Sequence, residues 1–345
     1  EWYFLMEAPG PAVAEAAWRQ TLRSHPQLWR LLFDGDGEAV RKARARHPAL
    51  ERMFAALGPP PQHLWGEATP AFEVPEVLPF DDSASLSADQ LGTFAEAGLV
   101  IIPGAVPAHL VGGALRRINS AIGSGKLVGD AGSALGLAPE VGSAPEIMDL
   151  FYASPVVTYA QRLIGRGRVE PVRKSQVALR FPSASASAPP TPAGSAWHID
   201  GFGKGQHSPF ALLCGVCLSE TPGPMCGNLA VYPGQHVRLQ QAILEAVTSG
   251  SAAAFSLSSE EHSDGDAAGG SKAHAKPDLG QPRQLCLHPG DVVLVHQKIP
   301  HMGMPNASPH VRYMVYFRLR HIDHNALKEG WLRDVMLPFE GCRRT

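Results

Sequence analysis

Apolar positions recur at helical spacing through the first half of the chain and in short alternating runs through the second. Over 11–57, Ala14, Trp18 and Leu22 fall at i, i+4 spacing, and Leu28, Leu31 and Leu32 continue the stripe, which predicts helix. Gly58-Pro59-Pro60-Pro61 closes that region, and a proline-spaced connector runs to about Phe80. Ser87, with Gln90 three residues on, is the signature of a reciprocal N-cap, and Leu91, Phe94 and Ala95 follow as a short amphipathic helix. Residues 98–104 are an apolar run ended by Pro103-Gly104, which predicts a strand. Further helices are predicted over 106–122, with Leu110, Leu115 and Ile118 as the core stripe, and over 144–164, ended by Gly165.

From Val172 the pattern changes to short strands, predicted at 172–181, 195–200, 210–219, 228–233, 283–288, 291–296 and 311–320. Helices first and strands later predict an α+β domain or a barrel wrapped by helices. Many short antiparallel candidates with Gly and Pro turns favour a mainly β chain with flanking helices, folded as a jelly-roll or cupin-like barrel. Two stretches interrupt it: 183–195 is rich in Ser, Ala and Pro, and 249–282 in Ser, Ala, Gly and charge. Neither holds enough large apolar side chains to offset its ordering entropy, so both are expected to be mobile, the second as an insertion between strands.

Composition changes this picture little. The 345 residues, 44% hydrophobic and 18% charged, are those of a soluble globular protein with a sizeable core. A formal charge of −2 gives no global field for nucleic acid or a membrane surface. There is no apolar run of 18 residues. Five cysteines without a framework spacing suit a reducing, intracellular and cytoplasmic setting. The chain opens on Glu1, not Met, which leaves a lost targeting peptide open. The basic run at 40–46 reads as a solvated helix face.

Chemistry enters at Trp197-His198-Ile199-Asp200. On a strand, His198 and Asp200 project from one face, about 6–7 Å apart along the chain, so both can grip one ion. His301 follows the turn and strand Pro289-Gly290-Asp291-Val292-Val293-Leu294-Val295-His296, and barrel closure would bring it beside them. Two imidazoles and one carboxylate are the facial set of non-haem Fe(II) oxygenases, with three positions left open on an octahedral ion. A structural zinc site would want a fourth ligand, and none is evident. In the strand ending at Arg320, Val311, Tyr313, Val315, Phe317 and Leu319 share an apolar face; Arg312, Met314, Tyr316 and Arg318 share the other. An inward Arg312 needs an anion, either an acidic cosubstrate or an internal Asp or Glu.

Together His198-x-Asp200, His301 and Arg312 resemble the Fe(II)/2-oxoglutarate dioxygenases, specifically the phytanoyl-CoA dioxygenase-like branch. The resemblance runs from Leu86 through Gly104, through Ser154-Pro155-Val156-Val157 to Gly165, and through Gly227-Asn228-Leu229-Ala230-Val231-Tyr232-Pro233-Gly234-Gln235-His236, where Ser commonly replaces Gln235. It covers about 81–325, leaving 1–80 as a helical extension and 326–345 as a tail. It implies a double-stranded β-helix, Fe(II) on His198, Asp200 and His301, and 2-oxoglutarate with its distal carboxylate on Arg312. It implies hydroxylation of a small organic molecule by O2, with release of succinate and CO2. The carboxylate of Asp200 favours hydroxylation, since related halogenases lose it.

Other residues carry weaker expectations. Lys174, Gln176, Ala178 and Arg180 share a face, and Gln176 either bonds cosubstrate or substrate or makes a structural hydrogen bond. Asn228 either approaches the open side of the metal or caps a turn. His296 reads either as a histidine that braces a ligand from behind or as a core histidine, His236 as structural, and Trp197 as core packing. Cys214 and Cys217 face opposite sides of a strand, which disfavours a joint metal or redox role. Lys204, Lys298 and Arg318 are scattered cations, not a phosphate cradle. Gly201-Phe202-Gly203-Lys204-Gly205 lacks the strand-to-helix context of a nucleotide fingerprint. Specificity is expected in loops 183–195, 201–209 and 297–310. Two rival classes stand beside the oxygenase: a cupin-like metal enzyme that uses no 2-oxoglutarate, and a non-catalytic barrel acting as a binding protein. Oligomeric state is not legible.

Overall fold

The computed structural model describes residues 11–24, 37–46, 48–60, 72–128, 135–137, 140–183, 197–201, 210–249 and 279–343. The expected stripe at Leu28, Leu31 and Leu32, most of the stretches 183–195 and 249–282, and most of the loop 201–209 lie outside these residues.

The described strands are β1 (Leu99–Ile102), β2 (Leu127–Val128), β3 (Leu135–Leu137), β4 (Gln176–Arg180), β5 (Leu212–Cys217), β6 (Leu229–Val231), β7 (Arg283–Gln284), β8 (Val292–His296), β9 (His301–Gly303) and β10 (Arg312–Leu319). Seven form one antiparallel sheet in the order β1-β8-β5-β10-β4-β3-β2, and three form a second in the order β7-β6-β9. Among the described residues no ladder joins the two sheets into a closed barrel.

Strand alternation divides the core as the side-chain pattern requires. From β10, Val315, Phe317 and Leu319 pack outward in one cluster with Ile147, Leu150, Phe151 and Leu163 of the helices. Met314 and Tyr316, on the opposite face, join Leu213 and Cys217 of β5, Val293 and Val295 of β8, and Leu229 and Val231 of the smaller sheet. A one-residue slip of β10 would exchange these faces, so burial on both sides pins the register of Tyr316 to Gly215 and of Arg312 to Arg180.

The Ala88–Ala97 helix carries the expected reciprocal cap: the Gln90 N–H donates to Ser87 Oγ at 3.1 Å, and the Ser87 N–H to Gln90 Oε1 at 2.9 Å. Such a cap contributes about 1 kcal/mol and aims the helix into β1. Two expectations need correction. The single helix over 144–164 is two, Pro145–Tyr152 and Val156–Ile164. Pro155 has no N–H to continue the first helix, and Ser154 Oγ fills the break by donating to the Leu150 carbonyl at 2.7 Å. In the Ala108–Gly123 helix the buried stripe is Val111, Ala114, Ile118 and Ala121; Leu110 and Leu115 lie at its edge.

Near the N-terminus, Trp18 of the Pro11–Ser24 helix packs edge-on against Phe54 at 5.4 Å and donates to the Gly58 carbonyl at 3.2 Å. In the basic run, Arg41 and Lys42 are exposed, while Arg44 forks onto Glu51 at 2.7 and 2.9 Å. No described helix is long and apolar enough to cross a membrane.

Candidate metal centre

The segment at 197–201 runs antiparallel to β9. The His198 N–H donates to the His301 carbonyl at 3.1 Å, and the His301 N–H to the His198 carbonyl at 2.9 Å. Directly opposed residues in such a pair share a face, so two histidines 103 positions apart (301 minus 198) come side by side, ring centroids 4.5 Å apart. Trp197 and Ile199 point the other way, into a cluster with Tyr232, Ile243 and Met302. Alternation therefore returns Asp200 to the face of His198. Its Oδ1 lies 3.6 Å from His198 Nε2 and its Oδ2 3.9 Å from His301 Nε2. One ligand atom from each of the three residues falls within 4.8 Å of the others.

The electrostatics suit a cation. His301 Nδ1 lies 2.9 Å from the Ile299 carbonyl, which can only accept, so the proton sits on Nδ1 and the Nε2 lone pair faces Asp200. Burial, reinforced by His198, pushes the His301 imidazole down to about 4, so it is neutral at neutral pH. Burial alone would raise the Asp200 carboxyl. The close approach of His198 and the Arg318 guanidinium on Oδ2 outweigh it, and the group stays well below the usual carboxylate range. His301 and Asp200 are nearly enclosed while the His198 side chain is 52% exposed, so the centre opens on the His198 side.

Arg318 is the residue that sequence reasoning left among loose cations. Its Nε donates to Asp200 Oδ2 at 3.1 Å and its Nη1 to Gln176 Oε1 at 2.8 Å. Gln297 Nε2 donates to the Asp200 main-chain carbonyl at 2.7 Å, so Asp200 is held at both ends. The inward alternation of β10 already carried the signal, because Arg318 shares the face of Arg312. Gln176 is thereby engaged with Arg318.

Arg312 is buried, as the alternation requires. Its Nε donates to the Gly227 carbonyl at 2.6 Å and its Nη1 to the Ala178 carbonyl at 3.0 Å. Among the described residues no Asp or Glu pairs with it, so the internal-acid alternative finds no partner there. Asn228 is fully buried: its Oδ1 accepts from the Cys226 N–H and its Nδ2 donates to the Leu285 carbonyl, both at 2.9 Å. That geometry favours the turn-bracing alternative over an approach to the metal.

The remaining candidates sit apart from the triad. His236 Nε2 meets the Ala95 carbonyl at 3.1 Å, and His296 Nε2 meets the Val335 carbonyl at 2.9 Å. Lys298 is buried with Nζ on the Trp331 carbonyl at 2.6 Å, and burial pushes it down to about 8. Cys214 packs on the helix side of the main sheet and Cys217 between the sheets, both as free thiols, in line with their opposite faces.

The buried histidines set a pH dependence. Burial pushes His236 down to about 4 and His296 well below its ordinary value, alongside His301. As pH falls below about 6.5 the unfolded chain takes up protons that these folded side chains refuse, so stability is lost between about 6.5 and 4. Each withheld proton contributes a slope of about 1.4 kcal/mol per pH unit. Urea midpoints of the metal-free protein are expected to drop steeply from pH 7 to pH 5; a flat profile would contradict a buried neutral set.

No protein-family profile and no curated protein matches this sequence. Solved structures similar to the chain include the epimerase SnoN in complex with Fe3+, alpha ketoglutarate and nogalamycin RO, at 18% identity and TM-score 0.47, covering 67% of this chain and 82% of that one. HygX from Streptomyces hygroscopicus with nickel and 2-oxoglutarate bound is similar at 12% identity and TM-score 0.43, covering 68% and 87%. EctD from S. alaskensis with 2-oxoglutarate and 5-hydroxyectoine is similar at 16% identity and TM-score 0.45, covering 72% and 80%.

Proposed function

We propose that this chain is an Fe(II)- and 2-oxoglutarate-dependent dioxygenase of the phytanoyl-CoA dioxygenase-like branch, hydroxylating a small organic molecule. The observation that carries this reading is the convergence of His198, Asp200 and His301 on one face, with their donor atoms within 4.8 Å. Two imidazole nitrogens and one carboxylate oxygen are the donor set non-haem Fe(II) takes, and they leave half of an octahedron for other ligands. Among the described residues no fourth His, Cys, Asp or Glu joins the group, which speaks against a closed structural zinc site. In this reading residues 81–325 form the catalytic domain, a double-stranded β-helix, with 1–80 and 326–345 as extensions and 249–282 as an insertion.

When bound, the iron would couple decarboxylation of 2-oxoglutarate to oxidation of the substrate by O2. The chain's own residues do the positioning. Arg318, on the carboxylate, and Gln297, on the main-chain carbonyl, hold Asp200 in a fixed orientation, and the Arg318 cation helps keep it ionised. The Ile299 carbonyl holds His301 in the tautomer that presents Nε2. Arg312 takes the distal carboxylate of the cosubstrate, which supplies the acid its burial calls for. A cupin-like enzyme without 2-oxoglutarate leaves that buried charge without a task, and is the weaker reading.

The test is anaerobic titration of Fe(II)-loaded protein with 2-oxoglutarate. The weak visible charge-transfer band of the chelate is expected to appear and saturate. Protein that holds iron and shows no band would move the assignment to the cupin-like alternative.

A further inference from the structure

A second guanidinium lies beside Arg312. Arg180 is its direct partner across the β4–β10 ladder, so both side chains leave the sheet on the same inward face. The chain packs closely on the pair. A Cβ at Gly227, where φ is +73°, would lie 2.9 Å from Arg180 Cβ and 3.0 Å from Arg312 Cβ. A Cβ at Gly303 would lie 2.7 Å from Arg180 Nη2 and 2.9 Å from its Nε. Arg180 is thus laid against the main chain two residues from the ligand His301, with Nη2 donating to the Gly303 carbonyl at 3.2 Å.

Like charges directly opposed on a ladder destabilise it, and burial removes the water that would screen them. Among the described residues neither guanidinium meets a carboxylate, and Arg180 Nε is enclosed with no acceptor. Two adjoining cations with donors to spare, walled by glycines that admit them, form a seat for an anion.

We propose that Arg180 and Arg312 together form a two-guanidinium seat for the distal carboxylate of a 2-oxo dicarboxylate, with Arg180 as its second cation. This rests on the 2-oxoglutarate reading above and adds a specificity element to it. The seat selects cosubstrates that carry a far carboxylate and discriminates against 2-oxo acids that end in a methyl group. Arg180 acts by binding and positioning, not on reacting atoms.

The experiment is calorimetric binding to Mn(II)-loaded protein, a stand-in for Fe(II) that does not turn over. Two probes are compared. N-oxalylglycine has both the chelating end and the distal carboxylate; oxalate has only the chelating end. Arg180→Gln is expected to weaken N-oxalylglycine by about tenfold to a hundredfold, the range of a lost charge-assisted hydrogen bond. Oxalate and Mn(II) affinities are expected to stay within about twofold, and Arg180→Lys to lie between wild type and Arg180→Gln.

N-oxalylglycine binding to Arg180→Gln as tightly as to wild type overturns the second cation and leaves the oxygenase reading standing. Equal loss of N-oxalylglycine and oxalate also overturns it, since that is what a merely structural arginine would give. Wild-type protein that holds Mn(II) and ignores N-oxalylglycine overturns both readings. Should Arg180→Gln fail to fold, Arg180→Lys and the wild-type salt dependence decide: N-oxalylglycine affinity must fall more steeply with ionic strength than oxalate affinity.

Discussion

Replacing His301 with Ala is expected to abolish Fe(II) binding while the fold survives. Its Nε2 is one of three donors, its Nδ1–H is spent on the Ile299 carbonyl, and among the described residues no fourth His, Cys, Asp or Glu is placed to take its position. Even outer partners of metal ligands are worth about 10–100-fold in affinity, so loss of a ligand should cost more than ~100-fold. The structural cost is smaller: one buried hydrogen bond and a modest cavity, on the order of 1–3 kcal/mol. Anaerobic Fe(II) titration measures the first effect, and circular dichroism with a urea midpoint the second. Iron affinity unchanged in a folded variant would remove His301 from the centre. The substitution should also flatten part of the acid-side stability loss, because the unfolded chain then carries one histidine fewer to protonate.

The sequence told most about elements whose burial is two-sided. In β10 the residues Val315, Phe317 and Leu319 had to face helices, which forced Arg312 and Arg318 inward, and the structure bears this out. His198 and Asp200 could be put on one face by the same two-residue period. What stayed hidden depends on partners distant in the chain. The strand β9 is three residues long, and its ties to His198 and to β6 come from register, not from local pattern. The pairing of Arg180 with Arg312 spans 132 positions (312 minus 180) and follows from the same kind of register. The role of Arg318 emerges only once Asp200 and Gln176 are brought under it. The break at Pro155, by contrast, was local and readable: apolar spacing ran on across it, and the missing N–H overrode that spacing.

Arg312→Ala is expected to raise the 2-oxoglutarate requirement by about 30-fold to 150-fold, the equivalent of the 2–3 kcal/mol of a charge-assisted bidentate contact. Fe(II) binding should hardly move, because Arg312 contributes no atom to the triad. The substitution has a second consequence. The carbonyls of Gly227 and Ala178 lose their donors, so some stability goes with the charge. Arg312→Lys separates the two effects: it keeps a cation near the seat, loses the planar fork, and should recover only part of the affinity. Free guanidinium at millimolar concentration offers a cleaner discriminator. It can refill the space vacated in Arg312→Ala and restore cosubstrate binding, whereas a defect of folding would not respond to it. A 2-oxoglutarate dependence of the charge-transfer band identical in wild type and Arg312→Ala would sever Arg312 from the cosubstrate, and with it the strongest reason to prefer an oxygenase over a metal barrel that works without a 2-oxo acid.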